Sequence, residues 1–166
     1  MGDNKAVTTA ADRIRESFER QSMMRSIGAR LLRVEPGRVA VGGPVGDGFR
    51  QQQGFAHAGL VFALGDNAAG YAALSILPEG VEVMTVEMKI NLLAPGAGRL
   101  VAEGRVIRPG RRLVVVAADV WAEDAAGERR HVAAMQGTMI PVDPGRGRQA
   151  GTSASLEAAD SEGRIE

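Results

Sequence analysis

One stretch limits what this chain can fold into more than any other: residues 51–77, QQQGFAHAGLVFALGDNAAGYAALSIL. From Ala58 onward it is apolar or small on every side for about five helical turns, and its single carboxylate is Asp66. A helix that is apolar all round is normally buried. An ionised carboxylate inside one is expensive unless it is paired, hydrogen-bonded or used. The fold must therefore wrap this segment, and the chemistry must account for Asp66.

Two readings of the segment stand side by side. In one, Gly65 breaks the run, residues 60–64 form a buried strand and Asp66 caps a shorter helix over residues 67–77. In the other, a helix over residues 58–77 begins just after His57, with free N–H groups near Gly59 and Asp66 two turns inside. Gly59 and Asp66 then share a face but stand about 10.5 Å apart along the axis, too far to touch one carbonyl group. If the helix N-terminus polarises a carbonyl and Asp66 attacks it, the two must come from two copies of the helix. That arrangement requires a symmetric dimer with two sites.

The remaining pattern supplies what surrounds the helix. Residues 1–8 read as a loose tail. Thr9, with Asp12 three positions on, opens a helix over residues 9–27 whose inner face carries Ile14, Phe18 and Met23, with Gly28 as its stop. Residues 29–45 read as a hairpin turning at Pro36 and Gly37. The glycine-rich run at residues 42–48 lacks the lysine and hydroxyl residue of a phosphate loop, and reads as a flexible loop at a pocket mouth. Four strands follow, at residues 81–94, 99–108, 111–123 and 129–142, joined by short turns as an antiparallel meander. In the first, Met84, Val86, Met88, Ile90 and Leu92 share one face by strict alternation. In the third, residues 113–117 look buried on both faces. Residues 143–166 are polar, rich in Gly, Ser and Ala, and read as disordered. The whole is one domain over residues 9–142, of α+β class, with an antiparallel sheet around one long central helix.

Composition removes several functions. With 20 basic and 20 acidic residues the net charge is zero, and aromatics make up 4%, so neither nucleic acid nor an anionic membrane is an expected partner. The absence of cysteine excludes thiol nucleophiles and thiolate metal sites, and two histidines cannot build a three-histidine zinc site. No run reaches the roughly 18 apolar residues of a membrane span, and residues 1–10 have no signal-peptide core. The expected setting is the cytoplasm, with no metal or cofactor.

The block His57-Ala58-Gly59, then Asp66 nine positions after the histidine, resembles the hot-dog fold thioesterases of the phenylacetate-pathway (PaaI-like) family. So do residues 84–91 (MTVEMKIN), Pro95-Gly96, Gly110-Arg111-Arg112 and Gln136-Gly137-Thr138. The likeness runs over residues 28–142 and departs at one position, where the family's two glycines after the histidine are Ala58 and Gly59 here. Alanine keeps the backbone N–H. The resemblance implies an acyl-CoA thioesterase in which the N–H of Gly59, together with that of Ala58, forms the oxyanion site. It implies that Asp66 of the partner subunit is the nucleophile or general base. Thr85 would position the carboxylate or the water, Gln51 would place an amide near the thioester, and Arg111 and Arg112 would contact coenzyme A. His57 would orient the helix entry or hydrogen-bond the substrate. Coenzyme A enters only as part of the substrate, and the assembly implied is a dimer, doubled to a tetramer.

Two other functions remain open at this stage. A hydroxyacyl dehydratase on the same fold would need a histidine and acid pair, and here His57 is followed by Ala-Gly and the helix carries no glutamate. A non-catalytic acyl-CoA-binding module would leave Asp66 without a task. Phe62 and Tyr71 could line an acyl pocket or belong to the core, and His131 has no evident partner.

Overall fold

The apolar segment folds as one uninterrupted helix. The computed structural model describes residues 9–144. In it α3 (Ala58–Leu74) runs for 17 residues with Gly65 and Asp66 inside it. This removes the reading in which residues 60–64 form a strand and Asp66 is a cap. The helix ends three residues short of the expected Leu77. There the Ser75 hydroxyl donates to the Ala72 carbonyl and accepts the Gly37 N–H, both at 2.7 Å. A side chain that competes for a helical carbonyl favours termination, and this one also ties the helix end to the hairpin turn.

The N-terminal helix is two helices. α1 (Ala10–Arg20) opens on the expected cap, with Thr9 Oγ1 accepting the Asp12 N–H and Asp12 accepting the Thr9 N–H, each at 3.2 Å. α2 (Ser22–Ile27) follows after Gln21, whose backbone is extended at φ −72°, ψ 107°. The bend lets Ile14 and Phe18 of α1 and Met24 and Ile27 of α2 enter the same core, so Met24, not Met23, is the buried methionine. Gly28 ends α2 in the left-handed conformation, φ 73°. The tails expected at residues 1–8 and 145–166 lie outside the described residues.

β1 (Arg30–Glu35) and β2 (Arg38–Pro44) form the expected hairpin, with Gly37 at φ 73° supplying a turn that residues bearing a Cβ resist. Gly42 and Gly43 are not loop residues, because both sit in β2 and pair with Val101 and Leu100. β3 (Glu82–Leu92), β4 (Arg99–Arg108), β5 (Val114–Glu123) and β6 (Arg129–Val142) complete a six-stranded sheet of order β1-β2-β4-β5-β6-β3, antiparallel throughout. Leu113 falls before β5 and is 51% exposed, so the doubly buried run begins one residue later than expected.

The four-strand meander is corrected to three. β4, β5 and β6 are sequential neighbours, but β3 pairs with β6 at the far edge. Its linker crosses the end of the sheet beneath the start of α3. Leu93 N–H donates to Val132 O of β6, Ala56 N–H to Gly96 O, and Val45 N–H to Gly98 O, each at 2.8 Å. What looked like a hairpin turn at residues 95–98 is the last part of this strap.

The sheet wraps one face around α3, as the hot-dog resemblance implied. Leu64, Ala68 and Ala72 of the helix pack with Val39, Val41, Leu100, Val116 and Val120 in one buried cluster. The approach is close because the facing residues are small. A Cβ built on Gly104 of β4 would clash with the Ala68 carbonyl of α3, 2.2 Å from its carbon and oxygen. β3 departs from strict alternation through a bulge between Thr85 and Glu87. An extra residue reverses which side chains face the core. Val83, Met88 and Ile90 pack inward, while Met84 and Val86 are 60% and 57% exposed.

Candidate active site

Among the cavities along α3, one lies at its N-terminus and one at its middle. The first, of about 520 Å³, is lined by Gln51, Phe55, His57, Ala58, Leu93 and Pro95 among others. Its back wall is fixed by the chain entering the helix, where His57 N–H donates to Phe49 O at 2.9 Å. His57 is the N-cap, extended at φ −65°, ψ 143°. Its Nδ1 accepts the Gly59 N–H at 2.9 Å, which requires a neutral imidazole protonated at Nε2. The Leu60 and Val61 N–H groups both turn to the His57 carbonyl, at 3.0 and 3.2 Å. Among the first-turn donors, Ala58 N–H alone has no partner among the described residues. The departure from the family's glycine pair therefore falls on the donor that lines the cavity. Gly59's N–H, expected to face the substrate, is engaged by the cap.

The second cavity, of about 270 Å³, contains Asp66 and Thr85. The Thr85 hydroxyl donates to Asp66 Oδ1 at 2.8 Å. Burial raises the Asp66 pKa above its ordinary value, and the Thr85 hydrogen bond pulls against that rise. A carboxylate with its desolvation only partly offset is more basic than one in water. The bulge in β3 makes the contact: on a strictly alternating strand Thr85 would lie on the face opposite Met88 and Ile90.

Within one chain the two cavities share no lining residue, and eight residues of helix between Ala58 and Asp66 span about 12 Å. Gln51 lines the first cavity, where its Oε1 accepts the Gln53 N–H and its Nε2 donates to Gln53 Oε1 at 3.3 Å. Arg111 and Arg112 are exposed in the β4–β5 turn and line neither cavity.

A model of the thioesterase superfamily matches residues 53–127, which takes in both the helix entry and Asp66. A solved thioesterase family protein from Silicibacter pomeroyi is 40% identical, with a TM-score of 0.77 over 81% of this chain and 98% of that one. The chain belongs to the thioesterase superfamily. The smu.793 protein of Streptococcus mutans, solved bound to acetyl CoA, is similar at 30% identity and TM-score 0.60, over 69% of this chain and 89% of its own. The E. coli PaaI protein of the phenylacetic acid degradation operon shares the fold at 21% identity and TM-score 0.71, over 80% of this chain and 93% of that one.

The thioesterase is thus a hydrolase by family, and its remaining polar groups divide between the Asp66 cavity and the outer face of the sheet. Beside Asp66 lie Asn67, Tyr71, Gln21 and Ser17. The sequence marks only Tyr71 among them, because the break that brings Gln21 inward has no glycine or proline to announce it. Phe62 is 36% exposed and lines neither cavity. His131 does have neighbours: its ring stacks on Trp121 with centroids 4.3 Å apart. Its Nε2 lies 3.0 Å from Asp119 Oδ1, off the line of a good hydrogen bond. Asp119 also meets Arg105 at 2.5 Å, while His131 Nε2 and Trp121 Nε1 are buried with no hydrogen-bond partner among the described residues. No helix among the described residues is long and apolar enough to cross a membrane.

Proposed function

We propose that the thioesterase hydrolyses acyl-CoA, with each site built from two copies of the chain. One copy supplies the Ala58 N–H and the cavity at the helix N-terminus, and the other supplies Asp66 and Thr85. The observation that carries this reading is the separation of the two cavities on one chain. A donor about 12 Å from the carboxylate along the same helix cannot serve the same carbonyl carbon. β3 supports the pairing of copies: it is an 11-residue edge strand whose exposed Met84 and Val86 would otherwise leave an apolar edge open to water. The similar smu.793 protein, solved with acetyl CoA, supports the substrate class.

In this site the thioester carbonyl oxygen accepts the Ala58 N–H at the positive end of α3. Asp66, raised in basicity by burial, either attacks the carbonyl carbon, expelling the coenzyme A thiolate as the C–S bond breaks and leaving an acyl anhydride that water then hydrolyses, or takes a proton from the attacking water and returns it to the departing thiolate. Thr85 holds the carboxylate oxygen that is not reacting. His57 keeps Gly59 tied down, so that the first turn presents Ala58. The Gln51 amide lies at the wall of the thioester cavity, and Arg111 and Arg112 receive the phosphates of coenzyme A.

Mixing two dead variants tests the shared site. Ala58→Pro removes the donor at a helix position where proline is tolerated, and Asp66→Asn removes the carboxylate. Release of free coenzyme A can be followed with a thiol-reactive dye, since the protein has no cysteine. Each variant alone should be inactive, and chains co-refolded in equal amounts should recover about a quarter of wild-type turnover, from one intact site in each mixed dimer. A mixture as dead as its components overturns the two-copy site.

A further inference from the structure

Helix α3 contains three glycines, and the packing of the chain explains two of them. A Cβ on Gly65 would clash with Met135 Sδ, and one on Gly59 would press to 3.1 Å from the His57 Nδ1 that caps the helix. Gly70 is different. A Cβ there would meet nothing nearer than Met139 Cε at 3.9 Å, an ordinary van der Waals contact. Its backbone is helical, with none of the positive φ that calls for glycine. Glycine inside a helix is destabilising relative to alanine, so the chain forgoes a stabilising methyl group where its own atoms leave room for one. That room belongs to the cavity that holds Asp66. Asp66, Gly70 and Leu74 line it as successive i, i+4 positions of one helical stripe, which sets Gly70 about 6 Å along the axis from the carboxylate. Val83 of β3 lines the same cavity, so beyond Asp66 the stripe offers an apolar track of Gly70, Leu74 and Val83. The volume, about 270 Å³, lies just under the roughly 300–1,000 Å³ typical of small-molecule sites, and a side chain at position 70 would take a substantial share of it.

We propose that Gly70 is bare so that the acyl chain of the substrate can pass it, and that this position sets the acyl length the enzyme accepts. The inference rests on the thioesterase reading above, with Asp66 at the reacting carbon. From there the chain runs over Gly70 toward Leu74. Butanoyl stops short of Gly70, whereas octanoyl reaches beyond it and lies against the apolar track. A side chain at position 70 stands in the path of the longer group alone. The competing occupant of the same room is the second copy of the chain. A partner segment packed on Gly70 would also plug the cavity in which Asp66 has to meet the thioester, so the room is kept for substrate.

The test is kcat/KM on octanoyl-CoA and butanoyl-CoA for the whole protein as wild type, Gly70→Ala and Gly70→Leu, with melting temperature and sedimentation measured on the same samples. The octanoyl-to-butanoyl ratio should fall by about 10-fold in Gly70→Ala and about 100-fold in Gly70→Leu. Gly70→Ala should also melt about 2–4 °C above wild type. Narrowed selectivity in a more stable protein is a result that a packing role for Gly70 does not produce. Because the ratio is read within each protein, a change in overall activity does not obscure it, and Gly70→Ala carries the test if leucine unsettles the fold. A ratio that keeps its wild-type value in both variants, a wild type that cleaves butanoyl-CoA but not octanoyl-CoA, or variants that lose the wild-type assembly overturns this inference alone. No cleavage of either acyl-CoA by wild type overturns the reading beneath it as well.

Discussion

Thr85 reaches Asp66 at 2.8 Å across 19 positions of sequence because β3 is bulged between Thr85 and Glu87. A hydrogen bond to the ionised form holds a carboxyl pKa down, and here it opposes the larger effect of burial. In the proposed reaction, turnover needs the ionised carboxylate. The acidic limb of the kcat/KM profile should therefore lie above the ordinary carboxylate value of 3.8. Thr85→Val, of similar shape, removes the opposing effect, so its limb should move to still higher pH. A limb that stays put or moves down would separate Thr85 from the titrating group.

The same raised pKa fixes the sign of a stability effect. Between 3.8 and the higher folded value the unfolded chain has lost its proton while the folded chain retains it. Stability contributed at this position therefore falls as pH rises through that window and stays low above it. Asp66→Asn should melt at a higher temperature than wild type at neutral pH, while losing turnover by about a thousandfold or more. The gap in melting temperature should close below 3.8. A variant that melts lower at neutral pH contradicts the linkage.

His57 is expected to act through the helix entry. His57→Ala removes the acceptor for Gly59 N–H and should cost about 1 kcal/mol, roughly 2–4 °C in melting temperature for a chain this long. His57→Asn, an equally good cap, should restore most of it. If alanine and asparagine melt alike, the Nδ1 contact is not what holds the first turn.

The seating of α3 on β4 can be probed at one atom. Gly104→Ala places a methyl group on the Ala68 carbonyl, where only backbone could give way. It should destabilise by about 3 kcal/mol or more. Gly48→Ala, with nothing within 4 Å of the added carbon, should stay within about 0.5 kcal/mol of wild type. Denaturant midpoints for the two variants provide the comparison.

The outline of this fold is legible in the sequence where a physical signal is local. An all-round apolar helix, the Thr9–Asp12 box, the Pro36–Gly37 turn and the Asp66 carboxylate each announce themselves. The details that complete the site are not local. The bulge that turns Thr85 inward is a property of β3 against β6, and the residues at 84–88 alternate without a break. The Gln21 bend exists because two short helices must bury apolar faces in one core and Gln21 meets Tyr71. The choice of Ala58 over Gly59 as the outward donor depends on which way the His57 ring turns. The far-edge position of β3 was hidden by a strap whose proline and glycine mimic a hairpin.

That far-edge position also bears on the order of assembly. β3 pairs with β6 at separations of 41 residues, Leu92 with Ala133, to 60 residues, Glu82 with Val142. The β4–β5–β6 hairpins close over much shorter loops, and long loops delay the contacts that depend on them. The strand that brings Thr85 to Asp66 is thus the late arrival at the rim, and an outermost strand opens more readily than the centre of a sheet. A molecule that has folded its centre but not yet zipped this rim would look nearly native while its carboxylate still lacked the hydroxyl beside it. Catalytic competence would then lag behind compaction during refolding.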